Sequence, residues 1–104
     1  MNIHKTAILD KSVSLGKNVE IGAFSQILGN VKIGDNVKIK SNCVIGAEAD
    51  QPRVDRLGDQ NGSIVIQDGC VIKDSVIISK PTLTELTKIG SNSYLMSGAY
   101  IAHD

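Results

Sequence analysis

The side chains in this sequence that could carry out chemistry are few, and the most reactive of them lie near its end. His103 and Asp104 close the chain, and a charged segment from Gln51 to Val65 lies near its middle. An imidazole loses its proton near neutral pH, so His103 could act as a general base in a reaction that removes a proton. The alternative readings are a solvated turn histidine and, for Asp104, an ordinary turn position, which suits aspartate.

The remaining polar candidates point away from metal or disulfide chemistry. The sequence has only two histidines and two cysteines, and neither type is clustered. A structural zinc site usually needs four such ligands, so the sequence does not predict a metal site. Cys43 and Cys70 are expected to be buried thiols in a reducing compartment, and His4 is expected to be structural or exposed.

The totals of the sequence exclude several classes of protein. At 104 residues, the chain is expected to form one domain, residues 1–104. Eleven basic residues balance eleven acidic ones, and no run of Lys or Arg suggests a surface for nucleic acid. The N-terminus lacks the apolar segment of a signal peptide, and no stretch approaches the length of a membrane helix. A cytoplasmic protein with no nucleic-acid partner is therefore expected.

A six-residue repeat determines the expected fold. A helix repeats its apolar residues every 3.6 positions and a half-buried strand every two, so a period of six indicates short strands separated by corners. Asn and Gly recur at the corners, where they tolerate left-handed backbone angles. The repeating aliphatic residues are Ile3, Leu9, Leu15, Ile21, Ile27, Ile33, Ile39, Ile45, Ile66, Ile72, Ile78, Ile89, Leu95 and Ile101. The corner residues are Asn18, Asn30, Asn36, Asn42, Asn92, Gly69 and Gly98.

The repeat also predicts where a site would lie. Three six-residue units make one triangular coil, so fourteen units make nearly five coils, interrupted by two loops, Gln51 to Val65 and roughly Leu83 to Lys88. The units that begin at Ile45, Ile78 and Ile101 fall on the same face. Both loops and the final histidine are therefore expected to project from one edge of the prism, within about 10 Å of each other along it.

The sequence resembles the hexapeptide-repeat acyltransferases, and among them the acyl carrier protein-dependent UDP-N-acetylglucosamine O-acyltransferases of lipid A synthesis. The likeness is carried by residues 3–8, by Ile45-Gly46 before a polar loop, and by residues 86–96 running into Ile101-Ala102-His103-Asp104. It implies an all-β fold, a left-handed parallel β-helix of about five triangular coils with two protruding loops, although parallel crossovers are normally right-handed. It also implies a homotrimer with sites between subunits.

The resemblance further implies a reaction and a set of site residues. His103 would be the general base, taking a proton from the sugar 3-hydroxyl or 3-amine as this group attacks an acyl thioester, and Asp104 would orient the imidazole. The donor would be an acyl-acyl carrier protein or acyl-coenzyme A, with no bound cofactor and no metal. The residues expected to contact the sugar nucleotide or the acyl group are Asp50, Gln51, Arg53 and Tyr100.

The sequence departs from the family at three places, and other functions stay open. The Gln-Asp order in the first loop is inverted, Arg53 replaces an expected lysine, and Tyr100 replaces a second histidine. Arg53 is alternatively a solvated charge, and Tyr100 an interface residue. One other function is a non-catalytic β-helix that assembles through open coils. Another is an N-acetyl- or formyl-transferase on a nucleotide sugar, with coenzyme A or a folate donor. Because family members continue through further coils, the chain is expected to be the N-terminal part of a longer transferase.

Overall fold

The computed structural model of the protein describes residues 1–48, 62–82 and 84–102. Within these ranges the chain forms fourteen short strands and no helix. None of the described residues therefore forms a helix with the length and apolar character needed to cross a membrane. The strands are β1 (Asn2–Ile3), β2 (Ile8–Leu9), β3 (Ser14–Leu15), β4 (Glu20–Ile21), β5 (Gln26–Ile27), β6 (Val31–Ile33), β7 (Lys38–Ile39), β8 (Val44–Ala47), β9 (Ser63–Ile66), β10 (Val71–Ile72), β11 (Ile77–Ser79), β12 (Leu86–Ile89), β13 (Tyr94–Leu95) and β14 (Tyr100–Ile101).

The strands form three parallel sheets in which each strand pairs with the strand three places later in the chain. Sheet A has the order β1-β4-β7-β10-β13, sheet B the order β2-β5-β8-β11-β14, and sheet C the order β3-β6-β9-β12. Consecutive strands belong to different sheets, so every three strands complete one coil of a triangular prism. The prediction of nearly five coils from the six-residue repeat is confirmed.

The repeating aliphatic residues fill the interior of the prism. In sheet B, Ile27 pairs with Ile45, and Ile45 with Ile78, so identical side chains stack along the axis. All three are fully buried, whereas Ile3 in the first coil is 37% exposed. Each fully buried isoleucine stabilises the fold by roughly 1.5–3 kcal/mol relative to an exposed one. The core is thus a column of mainly β-branched residues that is most completely buried in the middle coils.

Left-handed backbone angles at the corners turn the chain from one sheet to the next. Positive φ occurs at the predicted corner residues Asn18, Asn36, Asn42, Asn92, Gly69 and Gly98. The prediction was wrong for Asn30, because Gly29 takes the positive φ at that corner, and glycine does so without the steric penalty of a side chain. Phe24 also has a φ of 61°, and its amide donates a hydrogen bond to Thr6 Oγ1 at 2.8 Å. That bond to the preceding coil helps to offset the unfavourable conformation.

Carboxylates tie successive coils together at the edge between sheets C and A. The amide of Lys17 donates to Asp35 Oδ1 at 2.8 Å, and the amide of Asp35 donates to Asp68 Oδ1 at 2.7 Å. Hydrogen bonds to a charged acceptor are stronger than neutral ones. This edge is therefore held by a ladder of side chains and carries no insertion.

The predicted C-terminal ends of both loops, Val65 and Lys88, were wrong, because regular strands begin before them. Residues 63–65 belong to β9, and residues 86–88 belong to β12. These two strands pair over four residues, from Ser63 with Leu86 to Ile66 with Ile89, and β9 pairs with β6 on its other side. Because β9 is paired on both sides, its regular structure begins three residues before Ile66, the aliphatic residue of the repeat. Residues 49–61 and Leu83 lie outside the described residues.

Candidate functional site

The candidate site lies along one edge of the prism, where sheet B turns toward sheet C. We call it the B–C edge, formed by residues 46–48, 79–81 and 102 at the ends of β8, β11 and β14. Ile45 pairs with Ile78, and Ile78 pairs with Ile101, so the three strands stack directly. The prediction that these three units share one face is confirmed. Neighbouring strands are about 4.8 Å apart, so this part of the edge spans about 10 Å.

The repeat is interrupted after β8 and after β11, and we call these two interruptions the insertions. The chain segments that flank them are in direct contact at this edge. The amide of Lys80 donates to the carbonyl oxygen of Ala47 at 2.8 Å. Gly62, at the return of the first insertion, packs so closely on the ring of Pro81 that a Cβ there would collide with it. The amide of Ser63 donates to the carbonyl oxygen of Glu85 at 2.9 Å. The bases of both insertions therefore form one packed unit.

Most of the predicted site residues fall on the insertions and on the last two positions of the chain. Asp50, Gln51, Arg53, His103 and Asp104 lie outside the described residues. Their roles therefore stay predictions. Of the predicted site residues, the structure describes Tyr100, which it places in β14 directly above Ile77 of β11.

Tyr100 is half-exposed, and its hydroxyl reaches the B–C edge. Ser79 Oγ donates a hydrogen bond to the Tyr100 hydroxyl oxygen over 3.4 Å. Ser79 is only 1% exposed, whereas Tyr100 is 47% exposed. Sequence reasoning missed Ser79. Its one signal was its position directly after Ile78, at the corner from which the second loop leaves.

The outward face of sheet B is unusually apolar for a solvent-facing surface. The side chains that point outward along it are Ile8, Gln26, Val44, Ile77 and Tyr100. Ile8 is 54% exposed and Ile77 40% exposed, and Phe24, at the adjoining corner, is 63% exposed. The corresponding positions of sheet A include the oppositely charged neighbours Glu20 and Lys38. Contiguous exposed apolar residues commonly mark a contact surface.

The two cysteines lie in the core of the prism, and His4 lies on the surface of the first coil. Cys43 and Cys70 are buried free thiols, as predicted, and their Sγ atoms donate to the carbonyl oxygens of Lys73 and Gly90, each at 3.0 Å. His4 is exposed in the first coil, and its Nδ1 accepts a hydrogen bond from the amide of Thr6 at 3.2 Å. Among the described residues, no group of three or more His, Cys, Asp or Glu is placed to hold a metal ion.

Because the Cys43 thiol is buried, the protein is expected to lose stability at alkaline pH. Desolvation raises the pKa of the Cys43 thiol above its ordinary value of 9.0. Above about pH 9, the unfolded chain releases this proton while the folded chain keeps it, so the free energy of unfolding falls as pH rises through that window. Urea unfolding at pH 7 and pH 10 is expected to show a smaller loss of stability in Cys43→Ser than in the parent. Equal losses in the two proteins would contradict this assignment.

The chain is similar in sequence and structure to a group of bacterial transferases. Residues 12–47 match a family model described as bacterial transferase hexapeptide (six repeats). The UDP-N-acetylglucosamine acyltransferase from Campylobacter jejuni superimposes with a TM-score of 0.83 at 23% identity, over 99% of this chain and 46% of that one. LpxA from Acinetobacter baumannii does so with a TM-score of 0.72 at 27% identity, over 98% of this chain and 46% of that one.

A third structure extends the same likeness. The UDP-N-acetylglucosamine O-acyltransferase from Moraxella catarrhalis has a TM-score of 0.62 at 30% identity, over 100% of this chain and 47% of that one. The chain thus spans under half the length of these structures. Among curated proteins, none matches it significantly. The predicted fold, a left-handed parallel β-helix built from hexapeptide repeats, is confirmed.

Proposed function

We propose that this hexapeptide-repeat β-helix protein is an acyltransferase that moves an acyl group from a thioester to the 3-hydroxyl or 3-amine of a UDP-amino sugar. One observation carries the proposal. The bases of both insertions and the end of β14, two residues before His103, meet on a single edge. The fold that presents this edge is shared with UDP-N-acetylglucosamine acyltransferases over nearly the whole chain. Residues 1–104 act in this proposal as one β-helix domain of the transferase.

In the proposed mechanism, His103 is the general base. It takes the proton of the sugar hydroxyl or amine as that oxygen or nitrogen forms a bond to the thioester carbonyl carbon. Collapse of the tetrahedral intermediate breaks the carbon–sulfur bond, and the imidazolium returns the proton to the departing thiolate. Asp104 orients the imidazole and stabilises its charged form. An imidazole suits both steps because its pKa lies close to the working pH.

The first insertion and the B–C edge supply the proposed substrate contacts. Asp50, Gln51 and Arg53 bind the sugar nucleotide or the acyl-bearing arm, with the Arg53 guanidinium suited to phosphate oxygens. Tyr100 contributes a phenol at the same edge. The donor is an acyl-acyl carrier protein or acyl-coenzyme A, which is a second substrate, and the reaction uses no resident cofactor. Cys43 and Cys70, as free thiols, fit a reducing cytoplasmic location.

We also propose that the active assembly is a homotrimer. The support is the exposed apolar face of sheet B, which runs from Ile8 on β2 to Ile77 on β11. Packing this face against a neighbouring copy would bury Ile8, Ile77 and Phe24, which are otherwise in contact with water. The B–C edge borders the same face, so each site would lie beside a subunit boundary.

An acyl-transfer assay tests the proposal. The purified protein is incubated with UDP-N-acetylglucosamine or its 3-amino analogue and with acyl-acyl carrier protein, acyl-coenzyme A or formyl-tetrahydrofolate, and the products are measured by mass spectrometry. The expected result is a sugar nucleotide heavier by one acyl group, with release of one thiol. Mild base cleaves an ester and leaves an amide, so it distinguishes the two acceptor groups. A stable oligomer by light scattering with no transfer from any donor would favour the assembly module instead.

A further inference from the structure

The contact between Ser79 and Tyr100 has no counterpart among the predicted roles. We infer that Ser79 is a positioning residue that holds the Tyr100 phenol at the B–C edge, so that the phenol proton is donated to an acceptor oxygen of the sugar nucleotide. The inference rests on the proposed function and adds to it one residue and one direction of hydrogen bonding.

The backbone determines which way the tyrosine ring must lie. Tyr100 sits directly above Ile77, and Ser79 lies two residues further along β11 toward the edge. For its hydroxyl to come within 3.4 Å of Ser79 Oγ, the ring has to lie along the sheet and point to the edge. Tyr100 thus bridges the apolar face of sheet B and the edge where the insertions meet.

Ser79 is suited to be a fixed anchor. It is almost completely buried, and the strand register shifts between Ile78 and Ser79, so that Ser79 pairs with Ala47. The next residue, Lys80, donates its amide to the carbonyl oxygen of Ala47. A short side chain on this pinned backbone has few alternative positions. The mobile partner of the pair is therefore the longer tyrosine.

The hydrogen bond with Ser79 is compatible with a free tyrosine proton. A phenol has one proton to donate, and when its oxygen accepts from Ser79 that proton is available for a second acceptor. Tyr100 is 47% exposed, so a ligand at this edge can approach it from solvent. An uncharged donor at this place matches a carbonyl, hydroxyl or phosphate oxygen of a sugar nucleotide. At 3.4 Å the Ser79 bond is long for two hydroxyls, and contacts of this kind commonly tighten when substrate binds.

A double-mutant cycle tests the coupling through turnover. Steady-state rates are compared for the parent, Ser79→Ala, Tyr100→Phe and the double variant, with Tyr94→Phe on sheet A as the control. Tyr100→Phe is expected to raise KM for the sugar nucleotide roughly tenfold with little change in kcat, and Ser79→Ala roughly threefold. The double variant should be no worse than Tyr100→Phe alone, and Tyr94→Phe should match the parent. Effects that multiply in the double variant would overturn the positioning role.

A fluorescence measurement tests the anchor without turnover. The chain has two tyrosines and no tryptophan, so emission from Tyr94→Phe comes from Tyr100 alone. Adding Ser79→Ala is expected to raise the acrylamide quenching constant at least about 1.5-fold, because an unanchored ring is more accessible. An unchanged constant would overturn the anchor.

The same protein separates failure of the inference from failure of the proposed function. UDP-N-acetylglucosamine is expected to protect Tyr100 in Tyr94→Phe from acrylamide. Protection without acyl transfer would overturn the proposed reaction and support the contact between Tyr100 and the sugar nucleotide. Acyl transfer without protection would support the reaction and overturn that contact. Absence of both would overturn the ligand contact together with the reaction.

Discussion

Replacing His103 with alanine is expected to lower kcat/KM for acyl transfer by about 10²- to 10⁴-fold, the usual contribution of a positioned general base. The parent should lose activity below neutral pH as the imidazole becomes protonated. The residual activity of His103→Ala should not show this decrease at low pH. Initial rates between pH 5.5 and 9 at saturating donor measure both effects.

His4→Ala is the matched control for this experiment. His4 is the other histidine of the chain, and it lies exposed in the first coil, far along the axis from the B–C edge. Its Nδ1 is hydrogen-bonded to Thr6 in the neighbouring turn. We expect His4→Ala to keep the parent rate and pH profile. A His103→Ala protein that retains parent activity with an intact oligomer would exclude His103 as the base.

Replacing Gly46 with alanine is expected to be among the most damaging small changes in the scaffold. Gly46 has a φ of 91°, and an added Cβ would collide with the backbone carbonyl oxygen of Leu28 in the preceding coil. The left-handed conformation costs about 1–2 kcal/mol for a residue with a side chain, and overpacking against backbone adds about 1–3 kcal/mol. We expect the free energy of unfolding in urea to fall by roughly 2–5 kcal/mol.

Two other glycines separate these contributions. Gly29 also has a positive φ, of 80°, but open space surrounds its Cβ position, so Gly29→Ala should show the conformational penalty alone. Gly90 has open space and no positive φ, so Gly90→Ala should be nearly neutral. All variants are compared at one protein concentration because oligomers gain stability by mass action. If Gly46→Ala loses no more than Gly29→Ala, the coils relax around the added methyl group.

Counting residues predicted the coil of three parallel sheets because a strict period leaves little choice, whereas the left hand of the coil was implied by the family resemblance. The aliphatic column from Ile3 to Ile101 sets which residues face inward, and three units per coil then set which strands stack. The pairing of Ile45 with Ile78 and of Ile78 with Ile101 followed from that count alone. The count does not contain strand length, so the extensions at residues 63–65 and 86–88 were missed.

The site was less predictable than the scaffold. Ser79 meets Tyr100 after a local register shift, and a shift of this kind leaves no mark in the period of the sequence. The prediction of Asn30 as a corner residue was wrong for a similar reason. Both glycine and asparagine tolerate left-handed angles, and in the pair Gly29-Asn30 the period does not say which of the two adopts them. Contacts that depend on one residue of offset require the three-dimensional register.

The independence of the insertions from the scaffold has an evolutionary consequence. Ile33 pairs with Ile66 across the first insertion in the same register as Leu15 with Ile33, although many more residues lie between the first pair. The stacking of the aliphatic residues therefore keeps its register across the insertion. Insertions at the B–C edge can therefore lengthen, shorten or change sequence while the prism stays in phase. Selection on substrate preference can therefore act on these segments with little cost to folding.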